Sequence, residues 1–118
     1  MLARVTGAVV VSVDYRRAPE DPFPAAVQDA VAAFRWAQAN PRELAARPGA
    51  VAVMGDSAGG NLAAVVSQRT RDLGGPSPIA QGLVYPATDL AAASRSAELF
   101  ADGFLLTRAD LDWFARQY

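Results

Sequence analysis

Residues 7–14 read Gly-Ala-Val-Val-Val-Ser-Val-Asp, a nearly continuous β-branched run with no regular polar face. A strand that is apolar on both sides suits a parallel sheet covered on both faces. Parallel strands cannot be joined by tight hairpins and need crossover connections, usually helices. Two further short apolar runs, Ala50 to Met54 and Ile79 to Tyr85, have the length of buried strands. Helical segments alternate with them. Roughly Ala25 to Ala39 repeats Phe23, Val27, Val31, Phe34 and Ala37 at helical spacing, and Asn40-Pro41 stops it. Asn61 to about Arg71 carries Leu62, Val65 and Val66 on one face, and Gly74-Gly75-Pro76 follows. Thr107-Arg108-Ala109-Asp110 reads as a capping box for a last helix with Leu111, Phe114 and Tyr118 on a sticky face. The expected fold class is α/β, a mostly parallel sheet of about three strands with flanking helices and right-handed crossovers. Three strands leave unpaired outer edges, so residues 1–118 are expected to form a single partial domain of something larger.

Composition narrows the chemistry. At 52% hydrophobic and 19% charged residues the chain is globular, not disordered. A net charge of −1, with no block of like charges, gives no electrostatic footprint for nucleic acid. The apolar runs are too short for a transmembrane helix, and the first residues do not read as a secretion signal, so the default location is cytoplasmic. Cysteine is absent, which removes disulfides, thiolate metal sites and a cysteine nucleophile. Histidine is absent too, and all 11 basic residues are arginine. The usual metal ligand and the usual general base are therefore both missing, and no metal site is expected.

One motif carries chemistry. Gly55-Asp56-Ser57-Ala58-Gly59 fits G-x-S-x-G, with an apolar strand before it and an amphipathic helix after it. Residues 55–60 are expected to turn sharply, so that the Ser57 hydroxyl projects above the sheet. Such a turn brings backbones together, and Gly55, Ala58, Gly59 and Gly60 supply small residues around the serine. The Ala58 N–H is the natural first donor of an oxyanion hole, helped by the helix dipole. The same residues also fit a glycine-rich strand–helix turn with an ordinary serine, or an anion site at Gly59-Gly60-Asn61. Neither the dinucleotide-binding nor the phosphate-loop glycine pattern matches.

Val11-Ser12-Val13-Asp14-Tyr15-Arg16-Arg17-Ala18-Pro19-Glu20, followed by Pro22-Phe23-Pro24-Ala25-Ala26, resembles a signature of the hormone-sensitive-lipase family of esterases (α/β-hydrolase fold-3). Gly55-Asp56-Ser57-Ala58-Gly59-Gly60-Asn61-Leu62-Ala63-Ala64 is similar to that family's nucleophile elbow, and Leu83-Val84-Tyr85-Pro86 to its next strand and turn. The resemblance implies a central fragment of a serine carboxylic-ester hydrolase, an esterase or lipase working without metal or organic cofactor on a small-molecule ester. It makes Ser57 the nucleophile that forms an acyl-enzyme and Ala58 an oxyanion donor. Asp56 would brace the elbow, and Asp14, Tyr15, Arg16 and Glu20 would hold the loop after the first strand. The family's His-Gly-Gly motif has no counterpart here. Asp89, Asp102, Asp110 and Asp112 do not sit in its acid motif. The isolated chain is accordingly expected to be inactive. The alternative is a non-catalytic hydrolase remnant that serves as a binding or interaction module.

Overall fold

The computed structural model describes residues 2–90 and 94–118. Its elements run α1 (Leu2–Thr6), α2 (Ala25–Ala39), β1 (Val53–Asp56), α3 (Ala58–Asp72), β2 (Gln81–Val84), α4 (Arg95–Leu99) and α5 (Arg108–Gln117).

The centre is a β1–α3–β2 unit. β1 and β2 pair in parallel with Val53 opposite Gln81 and Asp56 opposite Val84. The helix between them packs on both strands, and α2 packs on α3. The buried apolar side chains lie on the two helices: Val27, Phe34 and Ala37 on α2, and Leu62, Ala63 and Val66 on α3. Thr70, the one buried polar side chain among the described residues, donates its hydroxyl to the Val66 carbonyl at 2.8 Å and so carries no unmet donor into the core.

The expected bounds of α2 hold at both ends. The helix stops where Asn40 caps it, the Asn40 Nδ2 donating to the Trp36 carbonyl at 2.8 Å. The capping box of α5 is also present: the Thr107 hydroxyl accepts from Asp110 N–H at 3.2 Å, and Asp110 accepts from Thr107 N–H at 2.9 Å. The Thr107 hydroxyl also lies 2.7 Å from Asp110 Oδ2, and donation from this hydroxyl first and from the Thr107 N–H second favours the ionised carboxylate and holds Asp110 below its ordinary pKa.

Three expectations need correction. Gly7 to Asp14 forms no strand, and among the described residues two strands pair, not three. A strand exists only beside a hydrogen-bonding neighbour, and no described backbone completes a ladder with this run. Its valines are exposed as a result: Val9, Val10, Val11 and Val13 all face solvent. Second, the sheet is not covered on both faces. Gly55 faces α3, whereas Met54, next in the alternation, stays 60% exposed. Third, α3 begins at Ala58 and not Asn61, so the turn is confined to Ser57. Glycine's low helix propensity argues against helix at 59–60, but close packing of the first turn on β1 and β2 overrides it.

The loop after the valine run is tied to α2. Arg16 donates from its backbone N–H to Asp29 Oδ2 at 2.9 Å, and its guanidinium forks onto both carboxylate oxygens at 2.8–3.2 Å. Asp21 stands 3.9 Å from the same guanidinium. Donation from Arg16, side chain first and backbone second, holds the Asp29 carboxyl down at about 2. A carboxyl depressed in the folded state adds stability that is fully present above its unfolded pKa and lost as pH falls through the folded one. Asp29→Asn is therefore expected to lower the thermal midpoint at pH 6. The gap to the parent should close as pH drops from about 4 toward 2, as melts at stepped pH will show.

Candidate functional site: the turn at Ser57

The β1–α3 junction is tight because Gly55 has no side chain. A Cβ there would overlap the carbonyl carbon and oxygen of Gly59 and lie 2.8 Å from the Gly60 nitrogen. Gly60 is likewise close-packed: a Cβ would meet Pro86 Cβ at 3.0 Å and the Gly55 carbonyl at 3.2 Å. Gly59 differs, since a Cβ there would meet nothing within 4 Å. The need for small residues thus falls on Gly55 and Gly60. Asp56 ends β1 opposite Val84 and helps to form the turn through its backbone. Its carboxylate makes no hydrogen bond or ion pair among the described residues, so the side-chain bracing of this turn comes from elsewhere.

Ser57 sits at φ 50, ψ −116. This is a backbone conformation that non-glycine residues avoid, at a cost of roughly 1–3 kcal/mol, and it persists only where surrounding structure imposes it. Several bonds impose it here. Ser57 N–H donates to Val84 O at 3.0 Å, extending the ladder by one residue. The Ser57 carbonyl accepts from Asn61 N–H at 3.0 Å and from Ala87 N–H at 3.3 Å. Tyr85, also at positive φ (36°), turns the chain after β2 so that Pro86 and Ala87 return over the start of α3.

Among the described residues the Ser57 hydroxyl has no hydrogen-bond partner. Serine at a helix N-cap ordinarily accepts a backbone N–H through its side chain. Ser57 occupies the N-cap of α3 without making that bond, and it is exposed. An ordinary capping serine is therefore not what the geometry shows. Ala58 is the first residue of α3, and helix geometry leaves its N–H without an intrahelical acceptor. The N–H of Ser57 itself is spent on Val84, which leaves Ala58 as the donor nearest the hydroxyl along the chain.

Sequence reading places Asn61 in the turn motif and in a possible anion site but not its side-chain contacts: Nδ2 donates to the Ala87 carbonyl at 2.6 Å and Oδ1 accepts from Tyr118 at 3.1 Å. It also missed Asp29 as the partner of Arg16. Asp14, Tyr15, Arg16 and Glu20 line an open hollow with Arg17 and Asp21, in the loop ahead of α2 and away from the turn in sequence. Among the described residues no three His, Cys, Asp or Glu side chains form a metal-binding group, and no helix is long and apolar enough to cross a membrane.

Comparison with known proteins fits this geometry. The family described as alpha/beta hydrolase fold matches residues 1–118. A carboxylic ester hydrolase of Mycobacterium tuberculosis, LipN, is 59% identical over 114 residues, covering 92% of this chain and 30% of LipN. The carboxylesterase NlhH of the same organism is 48% identical over 111 residues, covering 94% of this chain and 35% of NlhH. Among solved structures, the hyperthermophilic esterase of the archaeon Pyrobaculum calidifontis superposes with a TM-score of 0.91 at 48% identity, covering 99% of this chain and 38% of that one. The chain thus spans about a third of the length of these relatives. On the match over its whole length and the strand–serine–helix turn at its centre, the chain belongs to the α/β-hydrolase fold family, in its hormone-sensitive-lipase-like branch.

Proposed function

We propose that these 118 residues carry the nucleophile portion of a serine carboxylic-ester hydrolase, as one part of a larger α/β-hydrolase domain. The observation that carries this is Ser57: an exposed serine held at positive φ, at a helix N-terminus, with its hydroxyl free of the capping bond. Esterase activity in the relatives supports the reading.

In the proposed reaction Ser57 Oγ attacks the ester carbonyl carbon while its proton passes to a general base. The carbonyl electron pair moves to oxygen, and the oxyanion is met by the Ala58 N–H. Collapse expels the alcohol, which takes the proton back, and leaves Ser57 acylated. Water, deprotonated by the same base, then frees the acid. This sequence uses no metal and no organic cofactor. The chain has no histidine and no lysine, and an aspartate base would be unusual for acyl transfer, so in the proposed reaction the base lies elsewhere. It comes from outside the 118, as does the acid that orients it, and the chain alone should show no turnover above background.

The test is to replace the matching third of the Pyrobaculum esterase with this chain, all 118 residues in register. The graft is expected to hydrolyse a short p-nitrophenyl ester, and the isolated chain is not. A folded graft without activity would leave the non-catalytic remnant as the better description.

A further inference from the structure

We infer that Asn61 is a positioning residue that holds the Ser57 backbone in its attacking geometry, an inference that rests on Ser57 being the nucleophile. Three hydrogen bonds to two carbonyls link Ser57, Asn61 and Ala87. Asn61 N–H reaches the Ser57 carbonyl at 3.0 Å, Ala87 N–H reaches the same carbonyl at 3.3 Å, and Asn61 Nδ2 reaches the Ala87 carbonyl at 2.6 Å. The first bond is the ordinary helical one. The other two join the start of α3 to the turn after β2, where Pro86 also packs on Gly60, and the Asn61 side chain ties the Ala87 carbonyl beside its second contact with Ser57. The direction of the amide is set from a third element. Tyr118, just past α5, donates its hydroxyl to Asn61 Oδ1 at 3.1 Å, which turns Nδ2 toward Ala87. The Tyr118 ring rests on Phe23, ahead of α2, with centroids 5.4 Å apart.

The physical reason for such a clamp is the conformation of Ser57. At φ 50 its backbone relaxes unless it is held from more than one side. Val84 holds its N–H and Asn61 with Ala87 hold its carbonyl. Relaxation would swing Oγ and the Ala58 N–H away from the position where they serve one reacting carbonyl, and small displacements of that kind lower rate sharply.

The experiment uses the graft described above. Active sites are counted by the burst of p-nitrophenolate from a p-nitrophenyl phosphonate, and kcat is expressed per counted site. Asn61→Ala removes both side-chain bonds. Asn61→Asp keeps an oxygen for Tyr118 but cannot, when ionised, donate to Ala87. Both are expected to lower kcat per site about 10- to 100-fold with KM unchanged. A purely structural role would reduce the number of sites and leave kcat per site at the parent value in either variant, and that result overturns the proposal. Ser57→Ala runs beside them. If it still turns over and still gives a burst, Ser57 is not the nucleophile and both readings fall. If it is dead while the Asn61 variants are normal per site, only the positioning role falls.

Discussion

Replacing Gly55 by alanine is expected to unfold or badly destabilise the molecule, by about 3 kcal/mol or more. The Cβ would overlap the main-chain carbonyl of Gly59 and press on the Gly60 nitrogen. These are backbone atoms of the first turn of α3, so no side-chain rotation relieves the clash. The helix would have to lift off the sheet by roughly 1 Å to restore van der Waals spacing. That lift would break the approach of Gly60 to Pro86 and the bonds that fix Ser57. Gly59→Ala is the matched control. Its Cβ would meet nothing within 4 Å, and alanine is the better helix former, so its effect on stability should stay within about 1 kcal/mol. Urea denaturation of the two variants decides the matter, with the larger shift in midpoint expected at position 55.

The second large effect concerns rate. In the graft, Ser57→Ala should lower kcat by roughly 10⁴- to 10⁶-fold, because loss of the nucleophile removes the acyl-enzyme route altogether. The residue is exposed, its hydroxyl makes no capping bond, and alanine loses only an oxygen. Stability should therefore hold or rise slightly, since no hydrogen bond among the described residues uses that oxygen. A parallel fall in thermal midpoint and rate would indicate damage to the turn, whereas a fall in rate alone locates the chemistry on Ser57 Oγ. Ester hydrolysis and thermal melts on the same preparation separate the two.

Local signals made much of this fold legible. Asn40-Pro41 and the Thr107–Asp110 box mark helix ends through contacts within a few residues, and both ends lie where sequence puts them. The G-x-S-x-G spacing locates the turn for the same reason: adjacent backbones crowd, and glycine answers that locally. Gly7 to Asp14 shows the limit of such reading. Its β-branched composition announces a strand, but a strand needs a neighbour, and pairing is not encoded in the run itself. The start of α3 was displaced by three residues because propensity counts the glycines at 59 and 60 against helix, while the packing that favours them comes from Gly55 and Pro86. Asn61 was invisible as a bracing residue because its partners, Ala87 and Tyr118, lie 26 and 57 residues away. Asp56 stands next to the serine in the chain, but nearness in sequence is not contact: its carboxylate has no hydrogen-bond partner among the described residues.

The central claim is that Ser57 Oγ is the attacking atom. A phosphonate ester that reacts only with activated serines should be incubated with the graft, and the adduct mapped by peptide mass spectrometry. The account predicts one phosphonyl group per molecule, on the peptide that contains Ser57, formed in step with loss of ester hydrolysis and absent from Ser57→Ala. An active graft that is inhibited with the label on another residue, or that keeps full activity after Ser57 is fully labelled, would contradict it.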